Sequence, residues 1–181
     1  DNKNIYNTDT GIILKSLKKN NKDINKISPW RFKAPLSPDI AAKLNNQEID
    51  FNDVKEFCKN RIKTLPNENG IFIIEGVGGT MVPINTKYTI IDLIKKIKIP
   101  IILVIGSYLG SISHTLNCLN NLSKYKIVIK SIIISESKEN DVGIDITKNS
   151  LINHINSVPI YKLKRNCINK NEIIDKIINN L

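Results

Sequence analysis

Three stretches of the chain bring together residue types that chemistry can use. In "FIIEGVGGTMVP", Phe72 to Pro83, an apolar β-branched run ends in a carboxylate, Glu75, followed at once by three glycines separated by a single valine. A carboxylate at the end of a buried strand is costly unless it is paired or metal-bound, and it is a hard oxygen ligand of the kind Mg²⁺ takes beside a phosphate. The glycines allow the backbone to approach a ligand closely and to adopt φ > 0, so that N–H groups can face anionic oxygens. A tight strand-to-helix turn with a solvated Glu75 satisfies the same residues. The stretch alone leaves both readings open.

The second stretch is "VIGSYLGSISHTLNCL", Val104 to Leu119. A strand ends near Gly106, a loop follows, and Ser111 or Ser113 can cap the next helix. Exposed amides of Gly110, Ser111, Ile112 and Ser113 would then form a site for a carboxylate or phosphate; an ordinary capped helix is the plainer reading. The third is Asp9 in "YNTDTGIIL", either a helix cap or, together with Glu75, the second carboxylate of a Mg²⁺ site. His114 is read as a structural hydrogen-bonding residue, and His154 has no partner motif. No Ser-His-Asp or Cys-His spacing supports nucleophilic catalysis.

These residues need elements to hold them. From Gly70 onward, short β-branched runs alternate with amphipathic stretches. The runs are Ile71–Ile74, Pro100–Ile105, Ser131–Ile134 and Val158–Leu163; helices are expected near Thr89–Ile97, Ile112–Leu122, Asp145–Ile155 and Glu172–Asn180. Strands apolar on both faces and alternating with helices predict an α/β fold, a mainly parallel sheet covered on both sides. Ligands of such sheets bind beyond the carboxyl ends of the strands, where Glu75 would sit. Residues before 70 read as helices and loops: a helix from Thr8 or Asp9 to about Lys19, an ordered loop Ser28–Pro38 set by its prolines, a helix from Pro38, and another capped by Asp50 or Asn52 with Val54, Phe57, Cys58 and Ile62 facing inward.

Composition narrows the classes. A chain of 181 residues is expected to form a single α/β domain over residues 1–181. The apolar runs are far shorter than the roughly 20 residues a membrane helix needs. Cys58, Cys118 and Cys167 are odd in number and widely spaced, against a disulfide framework or zinc site; with no secretory signal visible, a cytoplasmic location is expected. The net charge of +10 comes from 27 basic residues, of which only Arg31, Arg61 and Arg165 are arginines. Scattered lysines with few aromatics do not form a stacking platform, so nucleic acid is not the expected partner. They suit solvation and the steering of anionic nucleotides.

Four stretches in order, "NTDTGIIL", "SPWRFKAPLSPDIAA", "IIEGVGGTMVPI" and "IPIILVIGSYLGSISHTLN", closely resemble the dethiobiotin synthetase family over nearly the whole chain. The glycine element by itself is also similar to one in cobyrinic acid synthases and other amidotransferase-type ligases. The P-x-x-F-x-x-P-x-S-P loop and L-G-x-I-x-H favour the biotin enzyme. The resemblance implies a P-loop NTPase-like, doubly wound fold and a homodimer that uses MgATP. It further implies that 7,8-diaminopelargonate is carboxylated by CO₂ and closed into dethiobiotin through a phosphate mixed anhydride. By the same resemblance, Asp9 and Glu75 hold Mg²⁺; Gly76, Val77 and Gly78 run along the nucleotide; Ser135, Glu136 and Lys164 lie at the base; and Gly110 to Ser113 receive the substrate carboxylate.

Departures from the family pattern are equally specific. G-x-x-x-x-G-K-[ST], whose amides and lysine hold phosphates, does not occur in these residues, nor does the family's K-P element. The resemblance therefore places the first strands and the expected catalytic lysines upstream of residue 1. The usual Asn-Asp pair reads Ser135-Glu136, and an I-P-W-like element reads Lys164-Arg165-Asn166. Asp39, Tyr108 and Ser113 stand where histidine, lysine and asparagine are usual. Besides a synthetase, a non-catalytic dimeric binding module fits these changes.

Overall fold

The structure is a computed structural model that describes residues 5, 8–64, 70–138, 142–155, 157–166 and 170–179. Cys167 and the expected helix end at Asn180 lie outside the described residues. Eight α-helices, a 3₁₀ helix at Asn21–Asp23 and three strands are described, the α-helices and strands in the order α1 (Asp9–Ser16), α2 (Ile24–Ile27), α3 (Pro38–Leu44), α4 (Phe51–Lys63), α5 (Ile90–Ile97), β1 (Ile101–Ile105), α6 (Ser111–Lys124), β2 (Ile129–Ser135), α7 (Ile144–Ile152), β3 (Ile160–Leu163) and α8 (Lys170–Ile178).

The strands form one parallel sheet in the order β1-β2-β3. Ile102 pairs with Ser131 and Ile105 with Ile134; Ile132 pairs with Ile160 and Ser135 with Leu163. β2 is central, and its β-branched run is buried on alternate sides: Ser131, Ile132 and Ile134 are 1%, 0% and 0% exposed. On one face Ile134 packs with Ile144 and Leu151 of α7, joined by Ile105, Ile112, Leu116 and Ile160. On the other, Ile133 shares a cavity wall with Ile173, Ile174 and Ile177 of α8. Helices thus cover both faces, as the two-sided apolar strands require. The α/β expectation holds.

One expected strand does not form. Ile71–Ile74 takes no regular secondary structure, with Ile71 and Ile73 50% and 78% exposed. A strand is a pairing state, because each backbone N–H and C=O needs a neighbour, and among the described residues none pairs with this run. The Arg61 guanidinium of α4 lies 6.0 Å from the Phe72 ring centroid.

The amino-terminal half packs around a second core of Ala42, Ile49, Phe51, Ile84 and Leu93, against which Trp30 and Phe32 of the proline-rich loop are laid. Phe51 stacks on Tyr88 at 4.2 Å between centroids, and Trp30 meets Phe57 edge-on at 5.5 Å. Caps decide where these helices start. The Asp50 carboxylate accepts from Asn52 N–H at 2.6 Å and Asp53 N–H at 3.4 Å, opening α4. Thr8, not Asp9, caps α1, its hydroxyl accepting from Gly11 N–H at 3.3 Å. That helix ends at Ser16, short of the expected Lys19.

Candidate functional site

Parallel strands present their carboxyl ends together, and three loops follow from those ends or lie beside them. After β2, Glu136 N–H donates to Leu163 C=O at 2.9 Å, extending the ladder by one bond beyond the strand. Its carboxylate Oε2 accepts from Arg165 N–H at 2.9 Å, fixing the loop after β3 to the loop after β2. Ser135, Glu136, Lys164 and Arg165 thereby rim a cavity of about 390 Å³ whose walls are Ile133, Leu163, Ile173, Ile174 and Ile177. The expected base-side residues Ser135, Glu136 and Lys164 are therefore brought together, although nearly thirty positions separate them in the chain.

After β1, Ser107 is fully buried and exchanges two hydrogen bonds with the loop after β2. Ser107 N–H donates to Ser137 Oγ at 3.0 Å, and Ser137 N–H donates to Ser107 Oγ at 3.1 Å. Gly106 is needed beneath this bridge, since a Cβ there would stand 2.7 Å from both Ser137 Oγ and the Tyr108 ring. The chain then turns into α6 through Gly110 at φ 92°. Two details of the expected anion site are corrected. The cap position is Gly110, not Ser111 or Ser113. The Ser111 amide donates to Tyr108 C=O at 3.0 Å and is spent within the turn. Ile112 packs into the core beneath, while Gly110 and Ser113 are exposed. The Ser111 hydroxyl is buried without a hydrogen-bond partner. Tyr108 Oη lies 3.1 Å from His114 Nδ1, so this histidine is a hydrogen-bonding residue of the turn.

The glycine loop reaches the body of α6 through Thr80. Gly78 has φ 66°, a conformation that side chains disfavour, and a Cβ there would meet Val82 Cγ2 at 2.8 Å. At Gly79 a Cβ would meet nothing within 4 Å, which leaves the backbone open to an approaching ligand. The loop is held from its far side: Val82 N–H donates to Gly79 C=O at 3.1 Å, Ile91 N–H to Thr80 C=O at 2.7 Å, and Thr80 Oγ1 lies 3.4 Å from Cys118 Sγ of α6. Downstream, Asp92 receives both the N–H (3.0 Å) and the hydroxyl (2.9 Å) of Thr89 and starts α5. Burial raises the Asp92 pKa, but these bonds and Lys95 outweigh it and hold the carboxyl below its ordinary value.

Glu75 is exposed, so the burial cost expected of a carboxylate there does not arise. Asp9 is exposed in the first turn of α1. Among the described residues no group of three or more His, Cys, Asp or Glu is placed to hold a metal ion. Two exposed hard-oxygen ligands fit Mg²⁺ in kind, because that ion usually takes one or two carboxylates and completes its shell with water and phosphate oxygens. Asp39 lies apart, lining a second cavity of about 280 Å³ with Ile84, Asn85 and Thr86.

Sequence reasoning did not find the isoleucines of α8 as cavity wall, nor the Ser107–Ser137 bridge. The first had a signal in the β-branched pairs of an amphipathic terminal helix; the second had none, because its partners lie thirty residues apart.

The family model described as an AAA domain matches residues 2–164. An ATP-dependent dethiobiotin synthetase of Acidiphilium cryptum (strain JF-5) is 36% identical over 155 residues, covering 84% of this chain and 68% of that protein. The same-named proteins of Methylobacterium nodulans and Caulobacter sp. (strain K31) are 33% and 35% identical, covering 72% and 77% of this chain and 58% and 60% of theirs. The fold and the first of these matches thus define an α/β protein of the AAA domain class. Within that class, the chain belongs to the dethiobiotin synthetase family. It spans roughly half to two thirds of the length of the curated relatives it matches.

Proposed function

We propose that this chain carries the base, metal and substrate-carboxylate sites of a cytoplasmic, homodimeric dethiobiotin synthetase, a ligase of biotin biosynthesis. The reaction joins 7,8-diaminopelargonate and CO₂ at the expense of ATP. The observation that carries the reading is the convergence of Ser135, Glu136 and Lys164 on one cavity beyond the carboxyl ends of β2 and β3, the place where open parallel sheets bind ligands.

Within that reading each element has a task. Asp9 and Glu75 would hold Mg²⁺, which when bound neutralises phosphate charge and orients the terminal phosphate. The backbone of Gly76 to Gly79 lies along the nucleotide, with Gly79 open on its ligand side. The cavity behind Ser135 and Glu136 takes the base and excludes water from one of its faces. At the start of α6, the N–H groups of Ile112 and Ser113 donate to the diamine's carboxylate, aided by the positive end of the helix. One amine of the diamine takes up CO₂ as a carbamate, the carbamate takes the terminal phosphate, and attack by the second amine closes the ring and releases phosphate. No residue of this sequence matches the phosphate-cradling loop or its lysine, and neither role is assigned here.

Calorimetric titration of residues 1–181 tests the reading. ADP is expected to bind more tightly with Mg²⁺ than without, and Glu75→Gln to remove most of that gain, on the order of tenfold. Equal ADP affinity with and without Mg²⁺, or an unchanged gain in Glu75→Gln, would overturn the metal assignment. Absence of any binding of ADP and of 7,8-diaminopelargonate would overturn the proposal as a whole.

A further inference from the structure

The loop after β2 is held on both sides within three residues. Towards β3, Glu136 N–H donates to Leu163 C=O at 2.9 Å, and Arg165 N–H donates to the Glu136 carboxylate at 2.9 Å. Towards β1, Ser137 N–H donates to Ser107 Oγ at 3.1 Å while Ser107 N–H donates to Ser137 Oγ at 3.0 Å. The pairing of β1 with β2 ends at Ile105 and Ile134, and a few residues further on the two serines take the connection up again. A serine has a single torsion between its backbone and its oxygen, so each hydroxyl fixes the partner backbone within narrow limits.

Ser107 is fully buried, so its amide cannot turn to water, and a buried N–H left without an acceptor costs more than an ordinary hydrogen bond contributes. Ser137 Oγ is the acceptor that meets this need. Without it, the loop after β1 or the loop after β2 must shift until the amide reaches another acceptor. Ser137 follows Glu136 directly, and Glu136 and Ser135 stand on the rim of the 390 Å³ cavity. A shift at the serines therefore passes to the rim across one peptide. The fit around them is close, because a Cβ at Gly106 would stand 2.7 Å from Ser137 Oγ.

We propose that Ser107 and Ser137 are positioning residues: their reciprocal hydrogen bonds set where Ser135 and Glu136 stand on the rim, and through them the affinity of the cavity for the nucleotide base. Neither serine lines the cavity, so the effect is exerted through the rim residues. This role rests on the assignment of the cavity to the base.

Adenosine, which lacks phosphate, reads the rim apart from the metal site. Its binding to residues 1–181 is followed by calorimetry or protein-observed NMR well below the melting temperature of each variant, where a loss of stability by itself leaves affinity unchanged. Ser137→Ala is expected to weaken adenosine about fivefold, the equivalent of one net hydrogen bond, and Ser137→Thr, which keeps the oxygen, to recover most of that loss. Ser107→Ala breaks the reciprocal bond and is expected to act in the same direction; it decides the matter if Ser137→Ala does not fold. The gain in ADP affinity on adding Mg²⁺ is expected to be the same in these variants as in the unaltered chain, because Asp9 and Glu75 lie outside the serine pair. Unchanged adenosine affinity in the folded alanine variants, a loss that Ser137→Thr does not recover, or a Mg²⁺ gain that falls along with adenosine affinity would each overturn the positioning role and leave the base assignment standing. Failure of the unaltered chain to bind adenosine would overturn the base assignment itself, and this role with it.

Discussion

Two apolar runs of the same residue type meet opposite fates. Ser131–Ile134 lies in the central strand, with Ile132 and Ile134 fully buried and Ile134 packed on α7; Ile71–Ile74, equally β-branched, is unpaired among the described residues and has Ile73 78% exposed. Val104 of β1 and Leu109 after it are likewise exposed, at 62% and 80%. The difference lies in the neighbours. An isoleucine is stabilised by the apolar area its surroundings remove from water, roughly 25 cal/mol per Å². A run that finds no partner strand among the described residues gains little.

The contrast also separates two ways of holding a site. The rim of the cavity after β2 and β3 is fixed by long-range hydrogen bonds, Glu136 N–H to Leu163 C=O and Arg165 N–H to the Glu136 carboxylate. The glycine loop is fixed mostly by local turns and by its contact with α5. The first region is therefore held by contacts distant in sequence. The second offers backbone to a ligand and is more sensitive to dihedral strain.

Leu151→Ala attacks the packed side and carries the largest expected effect. Leu151 is fully buried in the cluster with Ile134 and Ile144, and its truncation is expected to cost about 3 kcal/mol in urea unfolding. A cost below about 1 kcal/mol would mean that this side is not a close-packed core and would dissolve the contrast. Gly78→Ala should fall in the middle, at about 2 kcal/mol, from the positive φ and the clash with Val82. Adding Val82→Ala should recover the part due to contact and leave the dihedral part; full recovery would show that the left-handed conformation is not retained. Ile73→Thr carries the smallest expected effect, within about 0.5 kcal/mol. A loss above about 1.5 kcal/mol would show that the run is packed in solution, and the two regions would then be alike.

Much of the fold could be read from periodicity. β1, β2 and β3 lie within the expected runs or extend them by a residue or two, and α5, α6, α7 and α8 begin within two residues of their expected starts. These elements are each specified by a local pattern and a cap, as Asp50 shows for α4. The failures are of another kind. Ile71–Ile74 has the composition of a strand, but composition cannot supply a partner. Ser111 had the residue type of a cap, yet Gly110 took the position because only a glycine enters the turn readily at φ 92°.

The sequence by itself determined that this is an α/β chain of alternating strands and helices, and it marked Glu75 with its glycines, the start of α6, and Ser135, Glu136 and Lys164 as the places to look. The first two are local facts of residue type and spacing; Ser135, Glu136 and Lys164 are marked by the resemblance to the dethiobiotin synthetase family. Only the tertiary structure decided that Glu136 and the residues after β3 share one cavity with α8, that Ser107 and Ser137 clasp two loops, and that Ile73 faces solvent. Each of those depends on which distant backbone groups meet, and hydrogen-bond partners thirty residues apart leave no trace in local pattern.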